Sequence, residues 1–325
     1  MKAMRIHRTG GPEVFQEDDL PTPRPGPGEA LIRHEACGVN FLDAYIRGGA
    51  YPLRAPLPCI VGGEGAGTVL EIGPGAGDLK QGDRVVYSGQ FGAYCEERIV
   101  KANRVARIPD GMSAANAAAI FNKAMTTEYL IRRAYPVKRG DTILVHAAAG
   151  GVGLVMCQWL KHLGATVIGT VGSEAKAELA ARHGCDHVVL YTREDFAKRA
   201  RELTSGEGVA AVFDSVGKDT FLRSMDALRK RGYLVCFGES SGAAPPVDPH
   251  TLHDKGSLFL TRASLLDYTI ADEDYRAATR AVFDVIGSGA VKIMLNQTYR
   301  LADVANAHRD LEARRTTGSS VLLVG

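Results

Sequence analysis

Apolar and polar positions change their rhythm twice along this chain. Within the first 120 residues the apolar stretches are short and broken by Gly and Pro: Ala30 to Ala36, Ala66 to Ile72, Asp83 to Tyr87, and Tyr94 to Ile108. Short alternating runs between turn residues predict an irregular all-β domain of barrel type. From Ala114 the breakers disappear. Ala115 to Ile120 and then Lys123 to Tyr135 are rich in Ala, Met and Leu, which predicts two helices ending before Pro136.

A regular alternation follows. Strands are expected at Thr142–His146, Thr166–Thr170, His187–Leu190, Ala210–Asp214, Tyr233–Phe237 and the apolar run Leu258–Thr261. Helices are expected between them at Gly151–Leu163, Glu174–His183, Glu194–Leu203 and Asp219–Leu228. Short apolar runs joined by helices are the pattern of a doubly wound parallel sheet, and the right-handed crossover rule leaves few other topologies. After Arg262 the alternation stops. Helices at Asp272–Ser288 and Leu301–Glu312 precede a last strand, Ser320–Val324, and these elements are expected to return to the first domain, with the nucleotide domain inserted into it.

The first strand of the alternation runs into Ala147-Ala148-Ala149-Gly150-Gly151-Val152-Gly153, which opens a helix. This is A-x-G-x-x-G, a dinucleotide fingerprint with Ala148 at the first glycine. Gly150 lets backbone approach a pyrophosphate and Gly153 lets the helix pack on the strand, while the helix N-terminus supplies N–H donors. At the end of the second strand, where an NAD enzyme carries an acid for the ribose hydroxyls, stands Gly172, followed by Ser173 and then Lys176. A glycine makes room for a 2′-phosphate, Ser173 donates to it and Lys176 pairs with it; the cofactor expected is NADPH. Lys176 also reads as a solvated helix lysine, and Glu174 counts against a phosphate. Tyr191 either lies beside the adenine ribose or caps the sheet edge.

Composition narrows the field without deciding it. A net charge of +2, from 39 basic and 37 acidic residues with no long run of either sign, gives no reason to expect nucleic acid or a membrane surface. The N-terminus has no signal-peptide core and no stretch reaches a membrane span, so a cytoplasmic protein is expected. The six cysteines lie far apart without a Cys-x-x-Cys pair, which predicts buried reduced thiols rather than disulfides or a cysteine metal site. His146, at the end of a strand, reads as a satisfied core residue rather than a base.

Several segments carry a resemblance: Gly10 to Val14, Gly38 to Tyr51, His146 to Leu154, Asp214 to Gly217, Phe237 to Gly242 and Thr317 to Ser320. Over its whole length the sequence resembles the zeta-crystallin group of NADPH:quinone oxidoreductases, zinc-free members of the medium-chain dehydrogenase/reductase superfamily. The resemblance implies an α/β fold class: a GroES-like β-barrel catalytic domain (1–124 plus 263–325) with an inserted Rossmann domain (125–262). It implies that Asn40, Tyr45 and Thr126 meet the nicotinamide half. By the same resemblance Gly172, Lys176, Tyr191 and Arg314 surround the 2′-phosphate end, with Phe237, Ser240, Thr261 and Arg262 along the cofactor path. It also implies a homodimer or tetramer formed through the nucleotide domain.

Zinc alcohol dehydrogenases of the same superfamily place a cysteine where this chain has Asn40 and a histidine where it has Gly63. A catalytic zinc needs three protein ligands, so no metal is expected. Without a Lewis acid the acceptor should already be electrophilic, a quinone or an activated enone held by hydrogen bonds from Asn40, Tyr45 or Tyr51; Tyr45 and Tyr51 also read as aromatic walls, which is the preferred reading for Tyr51. Three functions stay open: quinone reduction, enone or alkenal double-bond reduction, and a nucleotide-dependent RNA-binding or structural role. The absence of a basic stripe counts against RNA.

Overall fold

The computed structural model describes residues 1–325 and divides them into two units, 1–123 with 270–279 and 293–325, and 124–269 with 280–292. In chain order the first stretch carries β1 (Lys2–Ile6), β2 (Phe15–Asp19), β3 (Glu29–Val39), α1 (Phe41–Gly48), β4 (Cys59–Ile60), β5 (Glu64–Ile72), β6 (Arg84–Ser88), β7 (Glu97–Lys101), β8 (Ala106–Arg107) and α2 (Ala114–Tyr129). The middle carries β9 (Thr142–Val145), α3 (Gly151–His162), β10 (Thr166–Val171), α4 (Glu174–Arg182), β11 (His187–Leu190), α5 (Phe196–Leu203), β12 (Val209–Asp214), α6 (Phe221–Ala227), β13 (Leu228–Cys236), α7 (Pro249–Asp254), β14 (Phe259–Arg262) and α8 (Leu265–Tyr268). Then follow α9 (Asp272–Gly287), β15 (Leu295–Arg300), α10 (Val304–Glu312) and β16 (Ser319–Leu323).

The first unit is built from a three-stranded sheet, order β2-β1-β4, and a seven-stranded one, order β15-β16-β3-β5-β6-β8 with β7 beside β3. The last strand of the chain thus enters the sheet begun near its start: Val321 pairs with Gly38 and Ser320 with Val39, antiparallel. Alternate positions of these strands, among them Ile6, Ile32, Val85 and Tyr87, bury into one core with Tyr94, Val304 and Leu322.

The second unit is a six-stranded parallel sheet in the order β11-β10-β9-β12-β13-β14. Its central strands are buried apart from Thr142 at the start of β9, as expected of a sheet covered on both faces. Leu144, Ile168, Val212 and Leu234 pack there with Phe196, Phe221 and Met225 of the crossover helices. Strand order reverses between β10-β9 and β12, and ligands of such sheets bind outside the strand ends at that point.

Three local expectations change. The two helices expected between Ala115 and Tyr135 are one, Ala114–Tyr129, followed by a single wide turn at Leu130–Ala134, because Phe121 and Asn122 do not break a helix. Helix α1 was not anticipated: Asn40 and Asp43 form a capping box at its start and Gly49, at φ 81°, ends it. Strand β15 was also missed: Leu295, Gln297 and Tyr299 form a half-buried face opposite exposed Asn296, Thr298 and Arg300, but the polar Gln297 interrupts the apolar alternation. No helix is long and apolar enough to cross a membrane.

Candidate active site and cofactor site

In the second unit the sheet hands its backbone to the glycine loop at Ala147, whose φ of 52° is a left-handed conformation that alanine seldom adopts. Gly150 caps α3 in extended conformation. A Cβ on Gly153 would stand 2.3 Å from the Ala147 carbonyl oxygen, so only glycine lets the helix start so close to the strand end. Gly150 is different: a Cβ there would be 3.2 Å from that oxygen, a tight but tolerable contact, so its need for glycine comes from what approaches outside. Gly151 and Val152 lie between them in the first turn, where amide groups have no intrahelical acceptor.

His146 is fully saturated. Ser224 donates onward to Asp214 or to the Thr220 carbonyl, so it accepts from His146 Nε2 at 2.9 Å, and Nδ1 accepts from Thr170 Oγ1 at 2.8 Å. Burial pushes the imidazole below its usual range, partly opposed by Asp214. The ring ties β9 to β10 and α6 and has no free nitrogen for catalysis.

At the ends of β10 and β11 the structure brings four expected residues together. Ser173 caps α4 by accepting from Lys176 N at 3.4 Å, and Tyr191 N donates to the Val171 carbonyl at 3.2 Å. A Cβ on Gly172 would lie 2.7 Å from the Tyr191 hydroxyl. Glu174 is exposed and paired with Arg193 at 2.6 Å, a residue that sequence reasoning passed over. Phe237 and Ser240 follow β13, with Phe237 N bonded to Asp214 O and Ser240 N to Ser215 O. Thr261 and Arg262 end β14, beside Val235 and Cys236. Thr126 is half-buried in α2. Arg314 belongs to the first unit, after α10, with φ 57°.

The first unit holds a second polar cluster. Glu64, with no exposed surface, accepts from Asn40 Nδ2 at 3.0 Å, Lys123 Nζ at 3.1 Å and Asn122 N at 2.6 Å. Gly38 makes this possible, since a Cβ there would stand 2.1 Å from Glu64 Oε2. Beside it Asp43 Oδ2 accepts from Asn40 N at 2.9 Å and Tyr94 Oη at 2.7 Å. Burial raises the Asp43 carboxyl to about 7, opposed by those two bonds and by Lys123 and assisted by Glu64. Behind Tyr94, His308 Nε2 lies 3.3 Å from its hydroxyl, and Arg47 donates to His308 Nδ1 at 3.2 Å and to Glu312 at 2.7 Å. Burial and Arg47 hold His308 neutral, at about 3. Tyr45 and Tyr51 are half-buried and pack ring to ring, centroids 5.3 Å apart.

These residues do not fit a catalytic zinc. Gly63 has no side chain to give, Asn40 turns its amide nitrogen onto Glu64, and Glu64 already holds the Lys123 ammonium. No three His, Cys, Asp or Glu side chains gather closely enough to hold a metal ion. Lys123 and the role of Glu64 were not read from sequence; the only signal was the neighbourhood of Gly38, Asn40 and Glu64 in two glycine-rich segments. All six cysteines are unpaired and buried.

Residues 26–110 match the family model of the alcohol dehydrogenase GroES-like domain and residues 151–293 that of the zinc-binding dehydrogenases. A quinone oxidoreductase of Pseudomonas aeruginosa is 45% identical over 323 residues, 99% of either chain. A 2-haloacrylate reductase of Burkholderia is 41% identical over 98% of this chain and 97% of its own. The crystal structure of Escherichia coli quinone oxidoreductase complexed with NADPH superposes with a TM-score of 0.97 at 43% identity, covering 99% of this chain and 100% of that one. Full-length likeness of this degree, with a GroES-like unit and a Rossmann sheet in one chain, means that the chain belongs to the quinone oxidoreductase family of medium-chain dehydrogenase/reductases.

Proposed function

We propose that this protein is a metal-independent NADPH:quinone oxidoreductase. The observation that carries the reading is its full-length likeness to quinone oxidoreductases, in a chain whose Asn40 and Gly63 leave no donor set for zinc. In the second unit the loop Gly150, Gly151, Val152 and Gly153 would hold the pyrophosphate, Gly172, Ser173, Lys176 and Tyr191 the 2′-phosphate end, and Phe237, Ser240, Thr261 and Arg262 the cofactor path, with Thr126 toward the nicotinamide half. In the first unit Asn40 and Tyr45 would meet the nicotinamide half and Arg314 the 2′-phosphate end. The absence of a side chain at Gly172 and the amide-lined start of α3 fit that cofactor. Bound there, NADPH supplies the reducing equivalent.

The chain's own part is recognition and polarisation. Glu64 fixes the Asn40 amide in one orientation, and Tyr45 offers a hydroxyl to a carbonyl oxygen, which gains negative charge as it is reduced. Tyr51 serves as an aromatic wall beside Tyr45. Hydrogen bonds suffice for an acceptor that is already electrophilic, whereas alcohol oxidation needs a stabiliser for the alkoxide. The test is a turnover screen of 1,4-benzoquinones and alkenals with NADPH and NADH after dialysis against chelator. Rapid NADPH-dependent quinone turnover that survives chelation is expected; activity lost with a stoichiometric metal would overturn the reading. A second reading, reduction of an activated carbon–carbon double bond, draws on the 2-haloacrylate reductase relative, and faster turnover of alkenals than quinones would favour it.

We also infer a homodimer. Strand β14 ends the parallel sheet and exposes Phe259 (50%) and Leu260 (37%), an unpaired apolar edge of the kind that pairs with a second chain. Leu260→Lys should shift the species seen by light scattering toward the monomer.

A further inference from the structure

An acid at the start of α4 is out of place if that end receives a phosphate. Glu174 is the first helical residue after the Ser173 cap, two positions beyond Gly172. An uncompensated carboxylate there would repel a 2′-phosphate dianion across a short span of solvent. The fold answers it with a residue from the neighbouring strand end. Arg193 lies in the turn after β11, two residues past Tyr191, and donates from Nη1 to Glu174 Oε1 at 2.6 Å. The turn is held to the sheet by Tyr191 N on the Val171 carbonyl and by Arg193 N on the Leu190 carbonyl at 2.9 Å. Its guanidinium is therefore carried beside the same strand ends where the Tyr191 hydroxyl lies 2.7 Å from the Cβ position of Gly172.

Two features separate this pair from an ordinary surface contact. Glu174 engages one nitrogen only, and the other guanidinium N–H groups of Arg193 have no acceptor in the protein. Both side chains are largely exposed, 70% and 63%, so the pair contributes little to folding. Its effect is on charge: with Arg193 the group Glu174, Lys176 and Arg193 carries one net positive charge, and without it none.

Resting on the reading that Gly172, Ser173 and Lys176 receive the 2′-phosphate, we propose that Arg193 is a further specificity-determining residue. It cancels Glu174 and turns its unused guanidinium N–H groups to the same phosphate. An arginine can do both at once because its donors form a planar fork.

The test compares Arg193→Ala, Glu174→Ala, the double variant and Lys176→Ala, using dissociation constants for 2′,5′-ADP against 5′-AMP and for NADPH against NADH. Arg193→Ala should weaken 2′,5′-ADP and NADPH by about ten- to thirtyfold, a lost charge-assisted bond, and leave 5′-AMP and NADH within about twofold. Removing Glu174 as well should recover about three- to tenfold of that loss, the repulsive part. If Lys176→Ala collapses the NADPH-to-NADH ratio while Arg193→Ala leaves it at the parent value, the phosphate site stands and the role of Arg193 is refuted. Should neither variant alter the ratio, the phosphate site and this proposal fall together. Equal losses of both nucleotides in each pair would place Arg193 on the adenosine or in the fold, and also overturn it.

Discussion

Glu64 and Glu174 are two carboxylates beside two parts of the proposed site, and the protein treats them in opposite ways. Glu64 has no exposed surface and is saturated by an amide, a backbone N–H and an ammonium. Glu174 stands in solvent with one partner. A charge taken out of water costs several kcal/mol unless its lone pairs are filled, so breaking the first cluster by one partner alone destabilises the unit that holds it. A charge left in water costs almost nothing to hold, so the second cluster is free to be set by what binds there. The difference predicts that substitutions at the buried cluster act on stability, whereas those at the exposed one act on cofactor choice.

The largest effect should come from breaking the buried pair. Lys123→Met strands Glu64 and should lower unfolding free energy by about 3–5 kcal/mol, while Lys123→Met with Glu64→Leu should regain most of the loss. Urea unfolding of both variants and of Arg193→Ala makes the comparison. Arg193→Ala should stay within about 0.5 kcal/mol of the parent. If Lys123→Met costs no more than Arg193→Ala, the contrast between the clusters is wrong.

Asp43 gives the same contrast a pH axis. Its folded pKa, about 7, lies above the ordinary 3.8, so between these values the folded state binds more protons than the unfolded one. Stability from this group is therefore fully present below about pH 4 and is lost as pH rises through 7, by about 4 kcal/mol at most. Asparagine can accept from both Asn40 N and Tyr94 Oη without ionising. Asp43→Asn should thus match the parent near pH 4 and exceed it progressively up to pH 8 in urea unfolding. A constant difference across that range would mean that Asp43 does not titrate as its burial implies.

The two clusters also differ in how far the sequence announced them. The strand–loop–helix grammar around Gly150 and the missing acid at Gly172 are local, because successive residues of one crossover make the site; the six parallel strands follow from the same local alternation, while their order is set by the fold. Arg193 escaped because it reaches Glu174 from another strand end, nineteen residues away. The buried cluster joins β3, α1, β5 and α2, and Lys123 lies 59 residues from Glu64. Tyr94 and His308 are 214 apart. Nothing in periodicity marks a polar residue inside a helix rich in alanine as the counterion of a distant acid. Asn40 and Gly63 were legible only as absences, metal ligands not present, while what fills their place required the fold.

The smallest effects, and the sharpest for cofactor choice, belong to the exposed end. Lys176→Ala removes one charge-assisted bond worth about 1.5–3 kcal/mol and should weaken NADPH by roughly 10- to 150-fold with NADH almost unchanged. Gly172→Asp acts differently, because it supplies an acceptor for the ribose hydroxyls and repels a phosphate together. The structure adds a condition: a Cβ at 172 meets the Tyr191 hydroxyl at 2.7 Å, so the ring must swing aside. Tyr191 is 43% exposed and can do so, which keeps the stability change within about 1 kcal/mol. Pairs of dissociation constants in the parent, Lys176→Ala and Gly172→Asp decide the matter. Preference should fall in the first variant and reverse toward NADH in the second, and Tyr191→Ala combined with Gly172→Asp should bind NADH at least as well as Gly172→Asp alone if the ring serves only as an obstacle. Weaker NADH binding in that double variant would instead show that Tyr191 packs on the adenosine, and a parent that prefers NADH would remove the ground for placing a phosphate at Gly172.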